Sequence, residues 1–163
     1  MDVLLLRPSP SNERFGLGPF FRTEPLGLEY IAAALDTRGH HTTIVDLRFG
    51  GSVERAIMQY RPAVVGVACL HSLEIDDSLE VARQVRRASP DVFLVLGGHS
   101  AAAFPEPLRC PEVNAIAVAD GERLVPDLVE ALERGRPLTD VPGLLLNTGD
   151  GFAATPDAEP VSL

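Results

Sequence analysis

Short unbroken apolar runs alternate along this chain with longer stretches in which apolar residues return every three or four positions. The first pattern is that of strands covered on both faces, the second that of helices with one buried stripe. "DVLLL" (Asp2 to Leu6) predicts the first strand, and a loop rich in Pro, Ser and Gly follows from Pro8 to Glu24. Pro25 then opens "PLGLEYIAAALDTRGH", a helix with proline in its first turn and Gly39 as its stop. "HTTIVDL" is β-branched and strand-like. "SVERAIMQYRP" begins on a serine cap, and Pro62 prevents its helix from continuing. "AVVGVACL" (Ala63 to Leu70) predicts a third strand, and "SLEIDDSLEVARQVRRASP" an amphipathic helix through Leu79, Ala82, Val85 and Arg86. "DVFLVL" and "NAIAVA" predict two more strands, separated by a short segment of Ala and Pro, before the helix "GERLVPDLVEALERG".

Five strands with helical crossovers imply a doubly wound α/β fold, Rossmann-like or flavodoxin-like, with a parallel sheet covered by helices on both faces. The tail "VPGLLLNTGDGFAATPDAEPVSL" changes character: two short apolar runs flank a turn at Asn147 to Gly151, as in a β-hairpin. The expected division is an α/β domain over residues 1–140 and a hairpin extension and linker over residues 141–163. Beyond Pro156 the chain reads as linker and stops without a closing element, as if cut from a longer protein.

Composition narrows the function classes. The 163 residues suit one domain, and 45% apolar content is enough to fill a core. No apolar run approaches the roughly 20 residues that span a bilayer, and no basic stretch precedes the first apolar run as in a signal peptide. The net charge of −9 repels a phosphate backbone and disfavours nucleic-acid binding. Arg83, Arg86 and Arg87 cluster, but at the spacing of a solvated outer helix face. Two cysteines, Cys69 and Cys110, make no disulfide framework and fit a reducing cytoplasm.

In an open parallel sheet, ligands bind beyond the carboxyl ends of the strands, where strand order reverses. For the order 2-1-3-4-5, one mouth collects Arg7, Pro8, Cys69, Leu70, His71, Ser72, Gly97, Gly98, His99, Ser100, Asp120, Gly121 and Glu122. The pair Gly97-Gly98 ends the fourth strand on two residues without side chains, a place for close backbone approach or a turn open only to glycine. Nucleotide motifs fail in turn. Gly16-Leu17-Gly18 lies ten residues past Leu6 with Phe21 at the third glycine position, so no dinucleotide fingerprint is present. There is no Gly-Lys-Ser/Thr for a P-loop. Ser9 and Ser11 are scattered among prolines rather than forming a flavin phosphate loop, and Arg7 and Leu70 stand where a phospho-receiver needs acids.

The segments "EPLGLEYIAAALDTRGHHTTIVDL", "VVGVACLHSLEIDDSLEVARQVRRASPDVFLVLGGHSAAAFPE" and "VNAIAVADGERLVPDLVEAL" resemble, in order and spacing, the amino-terminal cobalamin-binding domain of cobalamin-dependent radical SAM enzymes. The resemblance runs from about Asp2 to Arg134. It implies a vitamin B12 cofactor, methylcobalamin or hydroxocobalamin, lying across the strand ends on the bare peptide of Gly97 and Gly98. Cobalamin domains of mutases and methionine synthase carry D-x-H-x-x-G after the first strand, whose histidine ligates cobalt. This first loop has no histidine. The resemblance therefore implies binding with the nucleotide base displaced and no histidine from that loop, with no metal ligand assigned beyond His71 as a possible cobalt ligand. Departures from the family pattern are Asp120-Gly121-Glu122-Arg123 in place of G-E-G-E, and Cys69, expected to be a buried structural thiol.

His40 and His41 are expected at the surface beside the helix stop, on opposite faces of a strand. An iron–sulfur cluster of the radical SAM kind needs C-x-x-x-C-x-x-C, which two cysteines cannot supply. No residue is assigned a catalytic role. The [4Fe-4S] cluster and S-adenosylmethionine are expected only in a catalytic domain absent from this sequence, acting in cis or in trans. The whole enzyme would methylate an unactivated carbon or phosphorus, or carry out a related cyclisation. Two other classes stay open: a stand-alone carrier or sensor of cobalamin or another flat ligand, and a small nucleotide- or sugar-binding α/β enzyme using His71, His99 and Glu122 as acid–base groups.

Overall fold

The computed structural model describes residues 1–10 and 24–159. Most of the first loop, with Gly16-Leu17-Gly18 and Phe21, and the last four residues lie outside the described part. Seven strands form one sheet in the order β2-β1-β3-β4-β5-β6-β7. Five are parallel: β1 (Asp2–Arg7), β2 (His41–Asp46), β3 (Val64–Ala68), β4 (Phe93–Gly97) and β5 (Ala115–Ala117). The expected order is borne out. So is the hairpin: β6 (Leu144–Asn147) and β7 (Phe152–Ala154) add antiparallel to the edge at β5, with Ala117 opposite Leu144.

Period-2 alternation in the apolar strands feeds two cores, one on each face of the sheet. Leu4, Leu6, Val65, Val67, Leu94, Leu96 and Ile116 face helices α2 (Val53–Tyr60) and α3 (Ile75–Ala88). Val3, Leu5, Val64, Val95 and Ala115 face α1 (Leu26–Thr37) and α5 (Gly121–Glu133). A short helix, α4 (His99–Ala103), follows β4. Among the described residues no helix is long and apolar enough to cross a membrane.

Local signals behave as the sequence predicts at most ends. The Ser52 hydroxyl accepts from the Arg55 N–H at 3.2 Å and caps α2, whose chain turns left-handed at Arg61 (φ 44°) before Pro62. Pro25 stands at the cap of α1 rather than inside its first turn, and Gly39 (φ 79°) ends that helix.

Three side chains depart from expectation. The buried stripe of α3 is Ser78, Val81, Ala82 and Val85, with Leu79 only half-buried. Arg86 is not on a solvated face. Its guanidinium donates to the carbonyls of Pro90, Val92 and Glu112 and to Asn114 Oδ1, tying the starts of β4 and β5 together. The planar fork, rather than the charge, is what this site uses. His40 is buried at 5% exposure because the chain doubles back under α1 at Gly39, its N–H returning to the Leu35 carbonyl. Of the two neighbours, His41 is the one at the surface.

Candidate functional site

The face of the sheet under α1 and α5 carries small side chains where its strands end. Gly66 and Ala68 on β3, Gly97 on β4 and Ala117 on β5 share this face by alternation, and Ala119 follows. With no bulk above them, the sheet and the two helices do not close. They enclose a cavity of about 780 Å³ that opens beyond the strand ends and reaches down to Val3 and Val64. That volume lies within the roughly 300–1,000 Å³ of small-molecule sites.

Gly66 shows what keeps the cavity open. A Cβ there would stand 2.8 Å from Leu5 Cδ2, so any side chain at 66 pushes into Leu5 or into the empty slot. Pro25, Leu26, Gly27, Leu28 and Ile31 of the α1 entrance form one wall, and Gly121 and Val125 of α5 the other. These walls meet tightly: a Cβ on Gly121 would lie 2.7 Å from Ile31 Cδ1.

Polar groups belong to the rim. Arg7 ends β1, His71 and His99 follow β3 and β4, and Asp120 and Glu122 open α5. Glu24 and Glu159 complete it. Burial lowers the affinity of the Arg7 guanidinium for its proton, as does nearby Arg48, with Asp46 and Glu74 opposing.

Of the thirteen residues the sequence assigns to the mouth, nine line the cavity: Arg7, Leu70, His71, Gly97, Gly98, His99, Asp120, Gly121 and Glu122. Pro8, Cys69, Ser72 and Ser100 do not. Cys69 falls on the α2/α3 side, fully buried, where burial pushes its thiol up. Ser72 is exposed in a short turn. Ser100 is buried behind the mouth: its N–H donates to the Cys69 carbonyl and its hydroxyl to the Leu70 carbonyl, holding the β3 and β4 exits together.

The two glycines at the end of β4 have different reasons. Gly98 sits at φ 115°, and a Cβ on it would meet the Cys69 carbonyl oxygen at 2.6 Å, so the protein's own turn demands it. Gly97 has an ordinary backbone, and a Cβ there would reach only Ala117 Cβ at 3.4 Å, over the cavity floor. The protein's own turn therefore accounts for Gly98, whereas no contact within the protein requires a glycine at 97. What sequence reasoning missed is the floor itself: Gly66, Ala68 and Ala117. The isolated glycine in "VVGVA" was the available signal.

The model of the B12 binding domain family matches residues 19–129, more than half of the chain. The chain belongs to the B12-binding domain family. Relatives of this B12-binding domain include the hopanoid C-3 methylase of Methylococcus capsulatus, 30% identical over 156 residues and covering 93% of this chain and 30% of its own length. The anaerobic magnesium-protoporphyrin IX monomethyl ester cyclase of Rubrivivax gelatinosus is 29% identical over 148 residues, covering 83% of this chain and 26% of its own. In fold, the domain is similar to the radical S-adenosylmethionine methyltransferase TsrM of Kitasatospora setae, solved with cobalamin and a [4Fe-4S] cluster bound. The TM-score is 0.80 at 23% identity, over 99% of this chain and 30% of that one. The cobalamin-dependent S-adenosylmethionine radical enzyme OxsB, solved with aqua-cobalamin and S-adenosylmethionine, gives 0.80 at 18% identity over 98% of this chain and 22% of that one. The chain thus spans about a third or less of the length of these relatives. The family's cofactor would be held in this cavity, which has small residues near its mouth and the apolar Val3, Leu5, Val64 and Val95 beneath.

Proposed function

We propose that this B12-binding domain takes up cobalamin with the benzimidazole base detached from cobalt and inserted between the sheet and helices α1 and α5. One observation carries this: the cavity extends to Val3 and Val64, far below the strand ends on which a macrocycle would rest. A flat ring across the mouth leaves that depth unfilled, and an apolar aromatic base on a flexible nucleotide arm fills it.

The chain's own groups divide the work. Ala68, Gly97 and Ala117 provide the floor near the mouth. Arg7 offers a cation to the phosphodiester of the arm, and Asp120 and Glu122 accept hydrogen bonds from amide N–H groups at the ring's edge. His71 and His99 hydrogen-bond to the same periphery. Residues 8–24 hold no histidine, so the D-x-H-x-x-G ligand to cobalt is not supplied. Bound cobalamin supplies a transferable methyl group at cobalt.

We further assign the domain to a radical SAM methyltransferase or cyclase, with residues 1–140 as the cofactor unit and 141–163 as its extension. Two cysteines cannot hold a three-cysteine cluster, so the [4Fe-4S] cluster and S-adenosylmethionine fall to a catalytic domain joined in cis or docked in trans. The exposed apolar side chains Leu26, Leu73 and Phe104 stand on segments at the mouth end of the sheet, which supports a partner there.

Titration with hydroxocobalamin, followed by visible absorbance, tests the proposal. The expected result is saturable binding with the spectrum of the base-detached form. A spectrum unchanged by the protein overturns cobalamin binding, and saturable binding with the base still on cobalt overturns the inserted tail.

A further inference from the structure

The deep end of the cavity has a composition of its own. Its side chains are Val3, Leu5, Val64 and Val95 from the sheet. All are apolar, and the four strand residues are at most 3% exposed. Gly66, between Leu5 and Val95, adds no side chain. The backbone at these positions lies in the paired ladders β1–β3 and β3–β4, where amide and carbonyl groups bond strand to strand. Thr42, whose buried hydroxyl has no partner, stands beside Val3 on β2 but does not line the cavity. Every charged or imidazole side chain of the lining sits at the rim, at a strand end, in a loop or in the first turn of a helix. Among the described residues, nothing in the deep end can donate or accept a hydrogen bond.

We infer that the slot selects cobamides by the polarity of the lower base: it takes an apolar benzimidazole and discriminates against bases with a hydroxyl or amine. The inference rests on the inserted-tail proposal and adds the ligand class. The physical ground is an asymmetry. An apolar ring gains from leaving water. A polar substituent loses its water hydrogen bonds and finds no replacement, and a buried unpaired group forfeits its full solvation. Apolar pockets discriminate against one added hydroxyl by roughly 10–100-fold, and the same scale is expected here. Adenine, with an exocyclic amine and several ring nitrogens, belongs to the disfavoured class.

The clean probe is a pair of bases with the same ring and the same cobalt-binding nitrogen. Dissociation constants are measured by absorbance for the full chain with three aqua-form ligands: 5-methylbenzimidazolyl cobamide, 5-hydroxybenzimidazolyl cobamide, which differs only by hydroxyl for methyl, and cobinamide, which lacks the nucleotide arm. Expected is 5-methylbenzimidazolyl binding at least tenfold tighter than 5-hydroxybenzimidazolyl, with cobinamide clearly weaker than the methyl form. If the two cobamides differ by less than tenfold while cobinamide stays weaker, base selection is overturned and the inserted tail stands. Should cobinamide match the methyl form, the tail does not occupy the slot, and both proposals fall together. Absence of binding by all three overturns them as well.

Discussion

The carbonyl oxygen of Cys69 lies 2.6 Å from where a Cβ on Gly98 would stand, while the Ser100 N–H donates to that same oxygen at 3.2 Å. The exits of β3 and β4 are therefore joined through the backbone as well as through the Ser100 hydroxyl, and position 98 has no room on its protein side.

From this follows a separation of two adjacent glycines. Gly98→Ala is expected to destabilise the fold by about 1–3 kcal/mol, through its left-handed φ and the clash with Cys69. Gly97→Leu is expected to keep the fold within about 1.5 kcal/mol and to lose cobalamin binding by filling the floor. Thermal melts and absorbance titrations of both variants check this. A Gly97→Leu protein that binds as the parent does would remove Gly97 from the floor.

Gly66 controls the depth of the slot. Gly66→Ala meets only the end of the flexible Leu5 side chain and should bind cobalamin with little loss. Gly66→Val or Gly66→Leu should weaken cobalamin by more than tenfold yet leave cobinamide unaffected, because in the proposed binding mode only the tail needs the depth. Equal losses for both ligands would show a general collapse instead.

Arg86 is expected to matter to stability rather than to binding. Arg86→Ala takes the donor from the carbonyls of Pro90, Val92 and Glu112 and leaves Asn114 Oδ1 only its bond from the Leu94 N–H, and charged hydrogen bonds of this kind contribute about 1.5–3 kcal/mol each before non-additivity. Arg86→Lys should rescue only a small part, since an ammonium cannot span four acceptors in one plane. Urea unfolding of the three proteins measures the ranking.

The pair Asp46–Arg48 predicts a pH dependence. Burial alone would push the Asp46 carboxyl up, but hydrogen bonds from the Arg48 side chain and backbone prevail and hold it below the usual range. The contacts are 2.6 Å and 2.9 Å between groups each about 11% exposed. A depressed folded-state value means the stabilisation is complete above the unfolded-state value, near pH 4, and fades as pH falls through the folded one. Asp46→Asn should lower stability at neutral pH by about 1–3 kcal/mol and flatten the loss as pH falls below about 4. Stability curves of equal slope for the two proteins in that window would contradict it.

Much of this architecture was legible because local pattern and tertiary role agree. Apolar runs such as Leu4 to Leu6 and Leu94 to Leu96 are strands covered on both faces, and the exit rule for parallel sheets found Arg7, His71, His99 and Glu122 without knowledge of any contact. What escaped depends on partners distant in sequence. Arg86 looks solvated on a helical wheel until Glu112 and Asn114 arrive from another element. His40 looks exposed until the turn at Gly39 folds it beneath α1. The floor escaped for a different reason. Gly66, Ala68 and Ala117 are inconspicuous singly, and only the register of three adjacent strands sets them side by side.

The hairpin β6–β7 has one more consequence, for the direction in which the polypeptide leaves. Helix α5 carries the chain to the pole remote from the mouth, where Glu133 meets the Met1 amino group at 3.2 Å. The return through residues 134–143 and the two reversals of the hairpin bring it back, the Gly143 N–H donating to the Pro156 carbonyl and Ala158 and Glu159 reaching the cavity edge. Any domain tethered after Glu159 would thus set out from the cavity edge. A short tether then suffices to hold it there at high effective concentration, whereas a departure from α5 would require one long enough to cross the whole sheet.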